Sequence, residues 1–197
     1  MPLMNRVTPA GEIVADPARG TLMGNRGGRL HDPAAKVLLR PWASRRWIAC
    51  ELHFRGRHHE PMGSGYTALF FLDEVTALAA GHRPCFECRR EAARQFLALS
   101  GLANADALDR AAHETRLAGR AKRTFRAPLK SLPDGAVVRH GAIMSALWHG
   151  RLLRWSPSGY VGDAANAAED VEVLTPAIFV DVLSRGYRPR WHPTADA

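Results

Sequence analysis

The chain has 197 residues, 46% of them hydrophobic and 23% charged, with 27 Lys+Arg against 19 Asp+Glu and a formal net charge of +8. It is long enough to bury a real core as one or two small domains, and the lack of any apolar run of about eighteen residues excludes a membrane-spanning helix. With no apolar signal core near Met1 and only three cysteines, two of them in a Cys-x-x-Cys, the expectation is a soluble, cytoplasmic protein with reduced thiols rather than a secreted disulfide scaffold.

Arginine greatly outnumbers lysine. Guanidinium forks suit phosphate geometry, so the charge favours a polyanionic partner, although GC-rich coding also enriches arginine and alanine without one.

The first twenty residues, with Pro2, Pro9, Pro17, Gly11 and Gly20, have no periodicity and predict an extended arm and loop. Met23 to Asp32 carries Gly24, Gly27 and Gly28 beside Arg26 and Arg29, which predicts a glycine-rich turn. Backbone amides there could approach a phosphate, but the lysine-hydroxyl ending of a Walker loop is missing. From Trp47 to Phe54 the sequence alternates, with Ile48, Cys50, Leu52 and Phe54 on one side and Ala49, Glu51 and His53 on the other, as in a half-buried strand. A polar turn from Arg55 to Gly65 then leads to a second strand, Tyr66 to Leu72, and the two are expected to pair as a hairpin.

After an Ala-rich segment from Asp73 to Ala80 comes Gly81-His82-Arg83-Pro84-Cys85-Phe86-Glu87-Cys88. Gly81 suits the end of one helix and Pro84 the start of another, so both thiols would emerge from one rigid turn, three residues apart. Such a pair can grip one tetrahedral ion. A redox dithiol is the less suitable reading, because the pair does not follow a strand of a βαβ unit. The helix from Pro84 is expected to run to about Leu99, with Gly101 as its stop.

The order of strand Ala68-Leu69-Phe70-Phe71-Leu72, Ala-rich segment and Gly-x-Arg-Pro-Cys-x-x-Cys, about twenty residues, resembles the second half of the zinc module of Ada-type DNA-repair proteins, which recurs as an accessory module in some nucleases. Over its whole length the chain also resembles a family of bacterial proteins. The Ada resemblance implies a bound zinc, held by Cys85 and Cys88 and by two further ligands from an upstream hairpin. This sequence has only Cys50 there, so the fourth ligand is expected to be a histidine: His53, or His58 or His59. Methyl transfer to a cysteine, the Ada activity, is therefore not expected. Because Cys50 and His53 face opposite ways in a regular strand, joint ligation needs a bend between them.

A further helix, capped near Asn104, would turn Leu108, Ala111, Ala112 and Leu117 inward. Asp109, His113, Arg116 and Arg120, spaced by four, three and four, would share its opposite face, followed by Lys122 and Arg123. A histidine oriented by a carboxylate beside arginines is what phosphodiester cleavage needs, with His113 as base, Asp109 orienting it and Arg116 stabilising charge. The same residues suit phosphate binding without chemistry, or a solvated helix face.

The last third reads as strands. Ala136 to Arg139, Ala142 to Trp148 and Arg151 to Trp155 follow one another, with a tight His149-Gly150 turn between the last two. Trp148 and Trp155 around Arg151 and Arg154 form either a base-stacking surface or core packing. A strand at Val171 to Leu174, a helix opened by Thr175 and Pro176, and Gly186-Tyr187-Arg188-Pro189 repeat the earlier strand, helix and Gly-x-Arg-Pro without the cysteines.

These readings combine into an α+β protein. A zinc-knuckle module with an N-terminal arm (1–101) is followed by a basic helical segment (102–130) and a small β-rich region with a C-terminal helix (131–197). The expected function is zinc-dependent binding of nucleic acid, DNA foremost, with Arg89, Arg90, Arg116, Arg120, Lys122 and Arg123 on phosphates. A nuclease using His113, Asp109 and Arg116 is the alternative, and a protein-partner-binding zinc module a third reading.

Overall fold

The computed structural model describes residues 1–57, 59–163 and 170–196. Among these residues the fold is α+β, built from two six-stranded sheets and four α-helices. The first sheet contains β1 (Met4–Val7), β2 (Ile13–Ala15), β3 (Leu22–Arg26), β4 (Trp47–Glu51), β5 (Leu69–Phe71) and β6 (Arg83–Pro84), in the order β2-β1-β5-β3-β4-β6. Helix α1 (Glu74–Ala79) lies between β5 and β6, α2 (Arg90–Ser100) and α3 (Ala105–Arg116) follow, and a small ribbon pairs β7 (Leu117–Ala118) with β8 (Ala121–Lys122). The second sheet has β9 (Phe125–Pro128), β10 (Val137–His140), β11 (Ile143–Trp148), β12 (Arg151–Ser156), β13 (Gly159–Asp163) and β14 (Asp170–Val173), in the order β13-β12-β11-β10-β14-β9, before helix α4 (Ala177–Ser184).

Every residue of α1 is buried, and the rest of the protein packs round it. Val75 and Ala79 join Val137 and Ala146 of the second sheet and Leu174 just after it, Ala77 and the C-cap Ala80 join Leu22, Ala49 and Phe71 of the first, and Leu78 joins Phe96, Leu108 and Phe179 of the other helices. The Ala-rich composition follows from this position, because only small side chains let six residues be covered on all sides. Asp73 caps the helix through the Thr76 amide, 2.8 Å away, and accepts a 2.8 Å bond from the Tyr160 hydroxyl. Glu74 accepts from the Tyr187 hydroxyl at 2.6 Å. The two acids thus tie the central helix to residues far along the chain while satisfying their own buried charge.

Several sequence expectations fail here for identifiable reasons, among them the helix start expected at Pro84, which pairs in β6 while α2 begins only at Arg90. The glycine-rich stretch expected as a turn contains β3, the middle of the first sheet's core. A Cβ on Gly24 would lie 2.1 Å from the Ile48 carbonyl oxygen and 2.9 Å from the Phe71 ring, so this glycine serves close packing between strands rather than a turn. The expected hairpin of β4 with β5 does not form, because β3 pairs antiparallel with both and stands between them. The N-terminal arm is likewise drawn into the sheet, with β1 antiparallel to β2 and parallel to β5.

Other local signals hold. Gly101 ends α2 at φ +71°, and Asn104 caps α3 by accepting from the Ala107 amide at 2.9 Å. His149 and Gly150 both take positive φ in the β11–β12 turn. Thr175 does not cap α4. Its hydroxyl accepts from the Val137 amide at 2.9 Å, and Pro176 stands at the cap position.

Candidate metal centre and basic cleft

The parallel pairing of β4 with β6 builds the cysteine cluster. Ala49 lies opposite Pro84, and the Cys85 amide donates to the Ala49 carbonyl at 3.0 Å, which brings the next residue of β4, Cys50, beside the knuckle. Cys85 to Arg89 then makes one turn, closed by a 3.0 Å bond from the Arg89 amide to the Cys85 carbonyl, before α2 begins at Arg90. The Sγ atoms of Cys50, Cys85 and Cys88 lie within 4.8 Å of one another, close enough to hold one metal ion. Backbone amides of Glu87 and Glu51 donate to Cys85 Sγ and Cys88 Sγ, each at 3.4 Å, an arrangement that favours thiolate. Hydrogen bonds from the Cys50 and Cys88 thiols push the Cys85 thiol well below its ordinary value, while the Cys50 thiol is pushed up by its bonds to the other two.

Among the described residues no fourth ligand joins this group. His53 is exposed and lies beyond the end of β4, which stops at Glu51 rather than running on to Phe54. His59 is engaged elsewhere: its Nε2 bonds the Tyr66 carbonyl at 2.8 Å, and its ring stacks on Tyr66 at 3.8 Å. His58 lies outside the described residues.

The knuckle is braced from within. Arg89, expected on phosphates, is 7% exposed and pairs with Glu74 at 2.7 Å and Glu51 at 3.4 Å. Arg190 also reaches Glu51, at 2.8 Å. Arg90, next along the chain, is exposed on the first turn of α2.

The polar stripe of α3 is mostly buried, contrary to the expectation of a surface face. Asp109 gives both oxygens to Arg83, at 2.9 and 2.8 Å, and therefore does not orient His113. His113 Nδ1 instead accepts from Arg116 at 3.0 Å, and burial together with Arg116 and Arg45 pushes the imidazole down from its ordinary range. Arg116, 1% exposed, donates to the Gly81 and Arg45 carbonyls at 2.9 and 2.7 Å. Helix α3 stops at Arg116, so Arg120 sits in the turn of the β7–β8 ribbon, and Arg123, exposed, folds back to the Leu117 carbonyl at 3.0 Å. Lys122 donates its ammonium to the Ala79 carbonyl at the end of α1.

Three of the six expected phosphate-binding residues, Arg116, Arg120 and Lys122, meet at a cleft of about 550 Å³ on the other face of the first sheet from Cys50. Arg26, Arg40 and Arg139 complete its cations, and among the described residues lining it only Glu12 carries a carboxylate. The pairing of Arg26 with Trp47 across β3 and β4 stacks the two side chains at 4.1 Å, and the Arg116 guanidinium also lies over the indole, at 4.0 Å. Arg26 further donates to the Gly11 carbonyl at 2.7 Å and to His82 Nε2 at 3.3 Å. Sequence reasoning singled out Arg26 only as part of a turn. Once Leu22–Arg26 is a strand, its period of two sends Arg26 to the Trp47 side.

Trp148 and Trp155 are packing residues. Trp155 Nε1 donates to Thr76 at 3.0 Å, and Trp148 packs on Trp191 at 4.6 Å. No helix among the described residues is long and apolar enough to cross a membrane. No protein-family model, curated protein or solved structure matches the chain.

Proposed function

We propose that the protein is a zinc-containing nucleic-acid-binding protein, with DNA as its partner. The observation that carries the partner is the cleft, where Arg26, Arg40, Arg116, Arg120 and Lys122 face the carboxylate of Glu12, while the sixth cation, Arg139, is paired with Glu172. Such an excess gives a strongly positive local potential and suits a polyanion. Cys50, Cys85 and Cys88 form a soft thiolate set that suits zinc better than hard oxygen-seeking cations. The zinc would tie β4 to the knuckle, and the Ada-type order of elements around the knuckle supports DNA as the nucleic acid. A nuclease role for His113 is the weaker reading, because Asp109 is committed to Arg83, and burial together with the neighbouring Arg116 lowers the basicity of the imidazole.

The test is the salt dependence of binding to a fluorescent single-stranded DNA oligonucleotide. Affinity is expected to fall steeply with salt, by about 0.7 in log–log slope for each phosphate contacted. Arg120→Ala, exposed at the cleft rim, is expected to flatten that slope by about one contact and weaken binding without changing the unfolding midpoint. Binding that is absent, or insensitive to salt, would overturn the reading and favour a protein partner.

A further inference from the structure

The cations of the cleft fall into two sets. Arg40 and Arg120 are exposed at the rim, whereas Arg26 and Arg116 are 3% and 1% exposed. Among the described residues neither buried guanidinium has a carboxylate partner within ion-pair distance. Their bonds go to backbone carbonyls and histidine nitrogens, and Arg116 Nε has none. Asp109, the acid whose charge acts on Arg116, is held by Arg83. Lys122 adds a third, half-buried cation, hydrogen-bonded to the Ala79 carbonyl.

Buried charge is costly unless matched by opposite charge, so three cations gathered at the inner wall imply a ligand carrying concentrated negative charge. An internal phosphodiester carries a single charge and sends chain out in two directions. A terminal phosphate carries nearly two charges, three acceptor oxygens and only one exit, and so matches an inner wall of cations with further arginines at the rim. The cavity volume is of the size that takes a nucleotide-scale group. Because Trp47 is 3% exposed and stacked by two guanidinium groups, the half-buried Trp42 is the ring left on the wall for the terminal sugar or base.

Resting on the nucleic-acid reading above, we propose that the cleft is a site for a phosphate monoester, and that it captures the phosphorylated end of a nucleic-acid strand. Arg26, Arg116 and Lys122 would hold the terminal phosphate, while Arg40 and Arg120 meet the next phosphates of the backbone.

A dependence on pH follows. Burial, helped by Arg26 on β3, Arg116 on α3 and Arg139 on β10, lowers the Lys122 ammonium to about 7. His82, also buried beside Arg26, is held well below its ordinary value and stays neutral, and Glu12 is the acid on the lining. A lysine with a lowered pKa is charged below that value, so the preference for a phosphorylated end should weaken as pH rises through about 7.

The test compares single-stranded DNA oligonucleotides of one sequence with 5′-phosphate, 3′-phosphate or only hydroxyl ends, in anisotropy titrations of the full chain, with a nucleoside monophosphate as competitor. A phosphorylated end is expected to tighten binding by at least about tenfold. Lys122→Met should remove most of that gain, bringing the affinities for phosphorylated and hydroxyl ends close to each other. Since a buried guanidinium variant can fail by unfolding, Arg40→Ala serves as the second variant and should weaken both kinds of strand. Equal affinity for phosphorylated and hydroxyl ends would overturn this inference and leave the nucleic-acid reading standing. Binding of the monophosphate with no binding of any oligonucleotide would overturn the strand as ligand, and the nucleic-acid reading with it.

Discussion

Replacing Cys85 and Cys88 together by alanine is expected to abolish zinc retention and to lower the thermal unfolding midpoint by roughly 8–16 °C. A ligand at about a thousand times its Kd stabilises the folded state by about 4 kcal/mol, and each kcal/mol moves the midpoint of a chain this long by about 2–4 °C. The effect should stop short of unfolding, because the cysteines lie at the β4–β6 edge of the sheet while the buried clusters around α1 need no metal. Far-ultraviolet circular dichroism should therefore stay close to that of the parent. Acidification should release the ion as well, since thiols must lose protons to bind it and regain them as pH falls. A variant with the parent's zinc content and midpoint would show that the knuckle is only a packing unit.

Asp109→Ala is expected to cost about 3–5 kcal/mol, the usual penalty for stranding one partner of a buried ion pair. Both side chains are nearly inaccessible, at 7% and 5%, and the two bonds between them join the middle of α3 to β6. Arg83 also donates to the Pro84 carbonyl at 3.0 Å and stacks on Phe86 at 5.0 Å, so its displacement should reach the knuckle and weaken metal retention too. Urea denaturation measures the loss. A double replacement, Arg83→Met with Asp109→Leu, should recover much of it, because removing both charges spares the desolvation cost. If Asp109 instead served to orient His113, Asp109→Ala would keep its stability and lose only turnover.

The sequence disclosed local punctuation better than long-range pairing. The Gly101 stop, the Asn104 cap and the His149-Gly150 turn each depend on a few neighbouring residues, and each is found where the pattern placed it. Leu22–Arg26 was illegible as a strand because Gly24 answers to Ile48 and Phe71, residues far along the chain. The face shared by Asp109, His113 and Arg116 could be read from helical spacing, but whether it met water or protein could not. Arg83, Trp47 and the Gly81 carbonyl, which cover that face, come from other elements. The cysteine set was half local: Cys85 and Cys88 announce themselves by spacing, whereas Cys50 joins them through a parallel pairing with no sequence signature. Gly81 and Gly186, at φ +90° and +103°, each precede a buried ring, His82 and Tyr187. Gly-x-Arg-Pro thus also ends a helix where no metal site follows, which is why function could not be argued from Arg83 alone.

Hydrogen–deuterium exchange of the full chain with and without a 5′-phosphorylated DNA oligonucleotide tests most directly whether the cleft is where nucleic acid binds. The account predicts slowed exchange over residues 38–42 and 116–122, the segments that carry Arg40, Trp42, Arg116, Arg120 and Lys122, with little change along α2. Protection confined to α2 and the knuckle, or none at saturating oligonucleotide, would contradict it.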